Sequence, residues 1–146
     1  MTGFILASLH HLLFLGVVVM LASQMAFLRV DPLPIKRLSK LDIGYGISIL
    51  LLLTVGYARV LWGEKGWSFY ETNHFFWAKM FLFVLVGCAS ILPTVNYIVW
   101  RKRQRLDHSF QPTDVDIRRT CRLVVNQIVL LVFVAICAAG MARWPI

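Results

Sequence analysis

The sequence predicts an all-α fold: a four-transmembrane-helix bundle with both termini on the outer (periplasmic) side. Three observations carry this prediction. The 146 residues are 59% hydrophobic, with a mean hydropathy of +0.73, where a soluble domain is about 45–50% apolar. The apolar residues are gathered into four long runs nearly free of charge, each close to the roughly 20 residues that cross a bilayer. The basic residues sit mainly between runs one and two and between runs three and four.

Backbone polar groups in hydrocarbon must be satisfied within the segment, so each run is read as a helix. The expected spans are residues 4–28, 41–62, 75–100 and 115–142 of one integral membrane domain, residues 1–146. The first run, Phe4 to Leu28, has no Lys or Arg before it and basic residues after it. A secretory signal has the opposite polarity, so this run is expected to be a helix of the mature protein. Pro32 and Pro34 prevent the first helix from running straight into the second. The fourth helix is expected to begin well before its apolar run Leu123–Ala142, with an N-cap at Thr113 or Asp114.

The connections set the orientation. Arg29, Lys36, Arg37 and Lys40 lie in or near the first, and Arg101, Lys102, Arg103, Arg105, Arg118, Arg119 and Arg122 flank the third. The middle one, GEKGWSFYETN, has only Lys65, balanced by Glu64 and Glu71. Positive residues favour the cytoplasmic side, which places the first and third connections inside. The net charge of +8 is therefore explained by topology and anionic lipid rather than by nucleic acid. Cys88, Cys121 and Cys137 form no C-x-x-C pair, so neither a disulfide nor a structural zinc is expected. There is no phosphate loop, nucleophile elbow or H-E-x-x-H.

The unusual polar residues meet in the outer half of this arrangement. His10 and His11 lie near the start of helix one, Arg59 near the outer end of helix two, and His74 and Lys79 in the first turns of the next. Lys79 either snorkels its ammonium to the headgroups or faces the interior and holds an anion such as a carboxylate or propionate. Val86, Ser90 and Tyr97 share its stripe, with Phe83 and Thr94 at the edge, which points inward. His10 and His11 cannot share a face. His10 lines up with Phe14, Val17 and Gln24, and Gln24 needs a partner, so the His10 face is assigned to the interior. It is either a hydrogen-bonded histidine or a ligand to iron, copper or zinc, with His11 as the alternate. Arg59 snorkels or pairs with Glu64, Glu71 or a bound anion. Trp62, Trp67, Phe69, Tyr70 and Trp77 are assigned mostly to an interfacial aromatic belt. Gly44 and Gly46 are expected to permit close packing, and Asn126 and Gln127 to hydrogen-bond across the bundle.

The motifs L-H-H near the start, G-Y-x-x-x-x-L from Gly44, G-x-A-R from Gly56 to Arg59, G-E-K-G from Gly63 to Gly66, F-Y-x-x-N from Phe69 to Asn73, W-A-K from Trp77 to Lys79, S-I-L-P-T from Ser90 to Thr94, and M-A-R near the end resemble a family of small four-helix bacterial inner-membrane proteins of unknown function. The layout is more distantly similar to the haem-associated membrane proteins HemJ and CopD. Leu9-His10 and Lys79 match that group's motifs. Trp77 stands where the group carries its other histidine, and His74 is the nearby substitute. That resemblance implies haem b, with His10 and His74 as ligands to the haem iron and Lys79 and Arg59 toward the propionates. The second class of function is a non-catalytic accessory subunit of a larger membrane complex, whose polar residues satisfy intersubunit hydrogen bonds. A quinone or small-lipid pocket built from the same residues is the third. The partner expected under every reading is the lipid bilayer, in a multi-pass inner-membrane arrangement.

Overall fold

The computed structural model describes residues 2–62 and 66–143. They form α1 (Thr2–Phe27), α2 (Ile35–Trp62), α3 (Gly66–Thr72), α4 (His74–Leu106) and α5 (Asp114–Arg143), with no strand among the described residues. All but α3 are long and apolar enough to cross a membrane. α1 packs on α2, α2 on α4, α4 on α5 and α5 on α1, closing an up-down-up-down bundle. Leu12, Phe81 and Ile136 turn outward with many other large apolar side chains, a surface suited to lipid and unsuited to water.

The helices extend past the apolar runs. α2 begins at Ile35 rather than Leu41, and α4 continues to Leu106 rather than stopping at Trp100. The reason is amphipathicity. Ile35, Leu38, Ser39, Asp42 and Tyr45 are buried along one face of α2, while Lys36, Arg37 and Lys40 are exposed on the other. A hydropathy run ends at the first charges; a helix with one buried face does not. The basic residues of the first and third connections therefore lie mostly on helix ends. The carbonyl of Pro34 accepts the first-turn N–H of Leu38 at 3.0 Å, so the chain turns helical directly after the proline. Thr113 starts α5: its Oγ1 accepts the N–H of Asp116 at 3.3 Å and donates to the Asp116 carboxylate at 2.7 Å.

α3 falls in the stretch whose polar and aromatic composition predicts a loop. Its Tyr70 is buried against Val60 and Phe76. Asn73 separates α3 from α4, accepting from the N–H of Phe75 through Oδ1 at 3.0 Å as the α4 N-cap.

The interior has two apolar clusters. The larger runs the length of the bundle through Val17, Leu21, Leu38, Leu52, Val86, Tyr97, Val124 and Leu131. The smaller, Val60, Tyr70 and Phe76 with Met80 and Met141, caps the end that carries the α1 N-terminus. Two buried hydrogen bonds cross the diagonals: the Tyr45 hydroxyl donates to Gln127 Oε1 at 2.9 Å, and the Tyr97 hydroxyl to Gln24 Oε1 at 3.3 Å. Gln24 and Gln127 thus find partners inside the bundle, whereas Asn126 is exposed. Gly44 is a close approach, since an added Cβ would stand 3.3 Å from Met20; Gly46 faces open space. Cys88, Cys121 and Cys137 are free thiols.

Candidate ligand-binding site

A cavity of about 460 Å³ opens between the two apolar clusters, a size typical of small-molecule and cofactor sites. Phe14, Leu52 and Phe83 form its floor, and Tyr70, Phe76 and Met80 its roof. His10, Arg59 and Lys79 all line it. These are three of the four residues assigned to a site from sequence, contributed by α1, α2 and α4.

His10 arrives through the register of α1, whose Val17, Leu21 and Gln24 are buried on the same side. Its Nδ1 is buried without a hydrogen-bond partner. That nitrogen lies beside α2 at Gly56, where an added Cβ would be 3.6 Å away. Nε2, across the ring, is the nitrogen left for a ligand. His11 is exposed and its Nδ1 donates to the Ala7 carbonyl at 2.6 Å, so the alternate histidine is committed to its own helix.

Lys79 is half-buried, and its Nζ sits 5.4 Å from the centre of the Phe76 ring. Its stripe is inward, with Val86 and Tyr97 buried below it. Arg59 reaches the cavity from the last turn of α2. Among the described residues, no carboxylate lines the cavity or pairs with either cation. Glu71 is exposed, and its backbone carbonyl accepts from Trp77 Nε1 at 3.0 Å. The G-E-K-G motif, with Glu64 as a partner for Arg59, lies outside the described residues apart from Gly66.

His74 is not brought to the cavity. As the first residue of α4, one position past the Asn73 cap, it is exposed. Phe76 takes the inward position, and a residue two places earlier on a helix points roughly the opposite way. The structure therefore does not bring His74 together with His10. Among the described residues, no group of three or more His, Cys, Asp or Glu is placed to hold a metal ion.

The aromatic belt divides. Trp62, Trp67 and Trp77 are more than half exposed, as an interfacial belt requires, whereas Tyr70 is 7% exposed and closes the cavity together with Phe76, which is not one of the residues assigned to the belt. Phe76 and Phe83 fall one turn before and one turn after Lys79, so an inward Lys79 already implied them, whereas Met80 is the next residue and lies about 100° round the helix. Tyr70 and Met141 carry no comparable signal, because their places depend on α3 and on how α5 meets α4.

No curated protein and no solved structure matches the chain. Residues 2–144 match the family described as "Predicted membrane protein (DUF2214)". With that match spanning nearly all of a chain that folds into four membrane-crossing helices, the protein belongs to this family of membrane proteins.

Proposed function

We propose that this multi-pass membrane protein binds haem b in the cavity between α1, α2 and α4, in the outer half of a bacterial inner membrane. The observation that supports it is the convergence on one apolar cavity of a histidine and two cations, neither cation having a carboxylate partner among the described residues. The donor set suits the cofactor: imidazole for iron, cations for two carboxylates, and aromatic and aliphatic walls for the macrocycle. His10 would hold the iron, and Arg59 and Lys79 the propionates. The roof of Tyr70 and Phe76 excludes water and lowers the local polarity, which strengthens the charge-assisted contacts beneath it. Bound haem supplies one-electron chemistry. The remaining iron-ligand types in the lining are the thioethers of Met80 and Met141 and the phenols of Tyr57 and Tyr70, one of which would take the place given to His74 from sequence.

The orientation rests on charge. Arg29, Lys36, Arg37, Lys40 and the basic ends of α4 and α5 occupy the end away from the cavity, which is thereby assigned to the cytoplasmic side.

The test is a visible spectrum of the detergent-purified protein, oxidised and then reduced with dithionite, after growth with haem supplied. A Soret band with sharpened α and β bands, lost in His10→Ala while the bundle stays folded, is the expected result. A folded wild-type protein with a blank spectrum overturns the haem reading. In that case co-purification in fixed ratio with other membrane subunits would mark an accessory role.

A further inference from the structure

Nearer the basic end, a second cavity of about 230 Å³ lies between α2 and α4. It shares no lining residue with the His10 cavity, so its ligand chemistry is independent of haem. Its one carboxylate is Asp42, 8% exposed. Thr94 Oγ1 donates to Asp42 Oδ1 at 3.1 Å, and Ser90 lines the same space. Gly46 and Gly87 also line it, and an added Cβ on either would meet nothing within 4 Å. The cavity is thus a slot whose glycine walls leave room beside a carboxylate.

An ionised carboxylate in a membrane helix is costly unless its charge is compensated. No Lys or Arg among the described residues supplies that compensation. Lys40 is exposed, and Arg101 directs its guanidinium to Ser39 Oγ at 3.2 Å. One hydroxyl donor leaves most of the carboxylate's acceptor capacity unused.

We propose that this slot is a binding site for a monovalent metal cation, with Asp42 as the charged ligand and the Ser90 and Thr94 hydroxyls as neutral oxygen ligands. Both hydroxyls have their protons engaged, Thr94 on Asp42 and Ser90 on the Gly87 carbonyl at 2.7 Å, so their lone pairs remain for a cation. The ligand set favours a single charge. Calcium takes 6–8 oxygens, usually from several carboxylates, and transition metals favour the imidazole and thiolate groups that this slot lacks.

The test is thermal unfolding of the purified full chain, followed by tryptophan fluorescence, in NaCl, KCl or choline chloride at matched ionic strength and pH. Ligand binding to the folded state raises the unfolding temperature with concentration. A rise of several degrees in sodium or potassium over choline is expected for wild type and for Thr94→Ser. Asp42→Asn should lose it, and so should Gly46→Leu, which fills the slot and keeps the carboxylate. Equal unfolding temperatures in all three salts for wild type would overturn the proposal. So would a sodium or potassium effect that persists in Gly46→Leu, which also covers the case in which Asp42→Asn fails to fold.

Discussion

The imidazole of His10 lies against the backbone of α2 at Gly56, where an added Cβ would stand 3.2 Å from His10 Cε1. The absence of a side chain at Gly56 therefore sets how deeply His10 can seat. Gly56→Val is expected to destabilise the bundle by about 1–3 kcal/mol, the usual cost of overpacking. It should also displace the ring from the cavity. Denaturation in mild detergent measures the first effect, and haem content per folded chain the second. A variant with wild-type stability and wild-type haem content would show that this approach does not position His10.

The diagonal pair Tyr45 and Gln127 permits a cleaner measurement, because both groups are buried and bonded to each other at 2.9 Å. Hydrogen bonds between membrane helices contribute about 0.6 kcal/mol on average. Tyr45→Phe and Gln127→Leu should each cost about that much or more, since each strands a buried polar partner. The double variant should cost less than the sum, because no acceptor or donor is then left unpaired. Strict additivity would mean that the bond contributes nothing.

The four-helix architecture was legible because apolar runs and internal backbone bonding leave few alternatives in lipid. The inward face of α1 was legible too, since Gln24 shares a side with His10 and a buried amide needs a partner. Two kinds of feature were hidden. Helix ends such as Ile35–Lys40 carry charge on one side only, so a hydropathy profile loses them although Leu38 is fully buried. Asp42 and Tyr70 depend on tertiary placement: Asp42 meets Thr94 across 52 positions of sequence, and Tyr70 is buried only because α3 folds over Val60 and Phe76. His74 lies outside the cavity for a local reason, since the residue after an N-cap is oriented by the first turn and not by the chemistry it could offer.

The end of α4 carries a pH-dependent lock. Asp107 accepts from Ser109 Oγ at 2.6 Å and from Ser109 N at 2.9 Å, and these bonds hold its carboxyl below the usual carboxylate range. A folded pKa below the unfolded value, about 3.9 for Asp, gives stabilisation that is full above that value. The stabilisation is lost as pH falls through the folded pKa. Ser109→Ala should therefore lower the unfolding temperature near neutral pH and converge on wild type in acid, once the pH has fallen below the folded pKa. A deficit that is the same near neutral pH and in acid would assign the effect of Ser109 to something other than the Asp107 carboxylate.

Topology is tested apart from any ligand. With the basic ends inside, a reporter active only in the cytoplasm should be silent when fused after Arg143, and one active only outside it should work. Replacing Arg101, Lys102, Arg103 and Arg105 with glutamine removes a large part of the bias and should yield a mixed population. Cytoplasmic activity of the carboxy-terminal fusion in the unaltered chain would reverse the assignment and put the His10 cavity at the inner face.

Arg59 and Lys79 divide one task, and their variants should reveal it. Both line the cavity without a carboxylate partner among the described residues, so a bound dianion would provide the compensation each lacks. A charge-assisted hydrogen bond contributes about 1.5–3 kcal/mol, and 1.4 kcal/mol is a factor of about ten in affinity. Arg59→Gln and Lys79→Gln are each expected to weaken haem binding about tenfold or more in titrations of the purified apoprotein. Lys79→Met should weaken binding as Lys79→Gln does, because its stem is retained and only the ammonium is lost. The folded bundle should tolerate these changes, since removing an unpaired cation from a partly apolar site relieves a desolvation cost. The test is therefore two-sided: weaker ligand binding together with equal or higher stability. Unaltered binding in the double Arg59→Gln/Lys79→Gln variant would show that the cations serve only to anchor their helices at the interface.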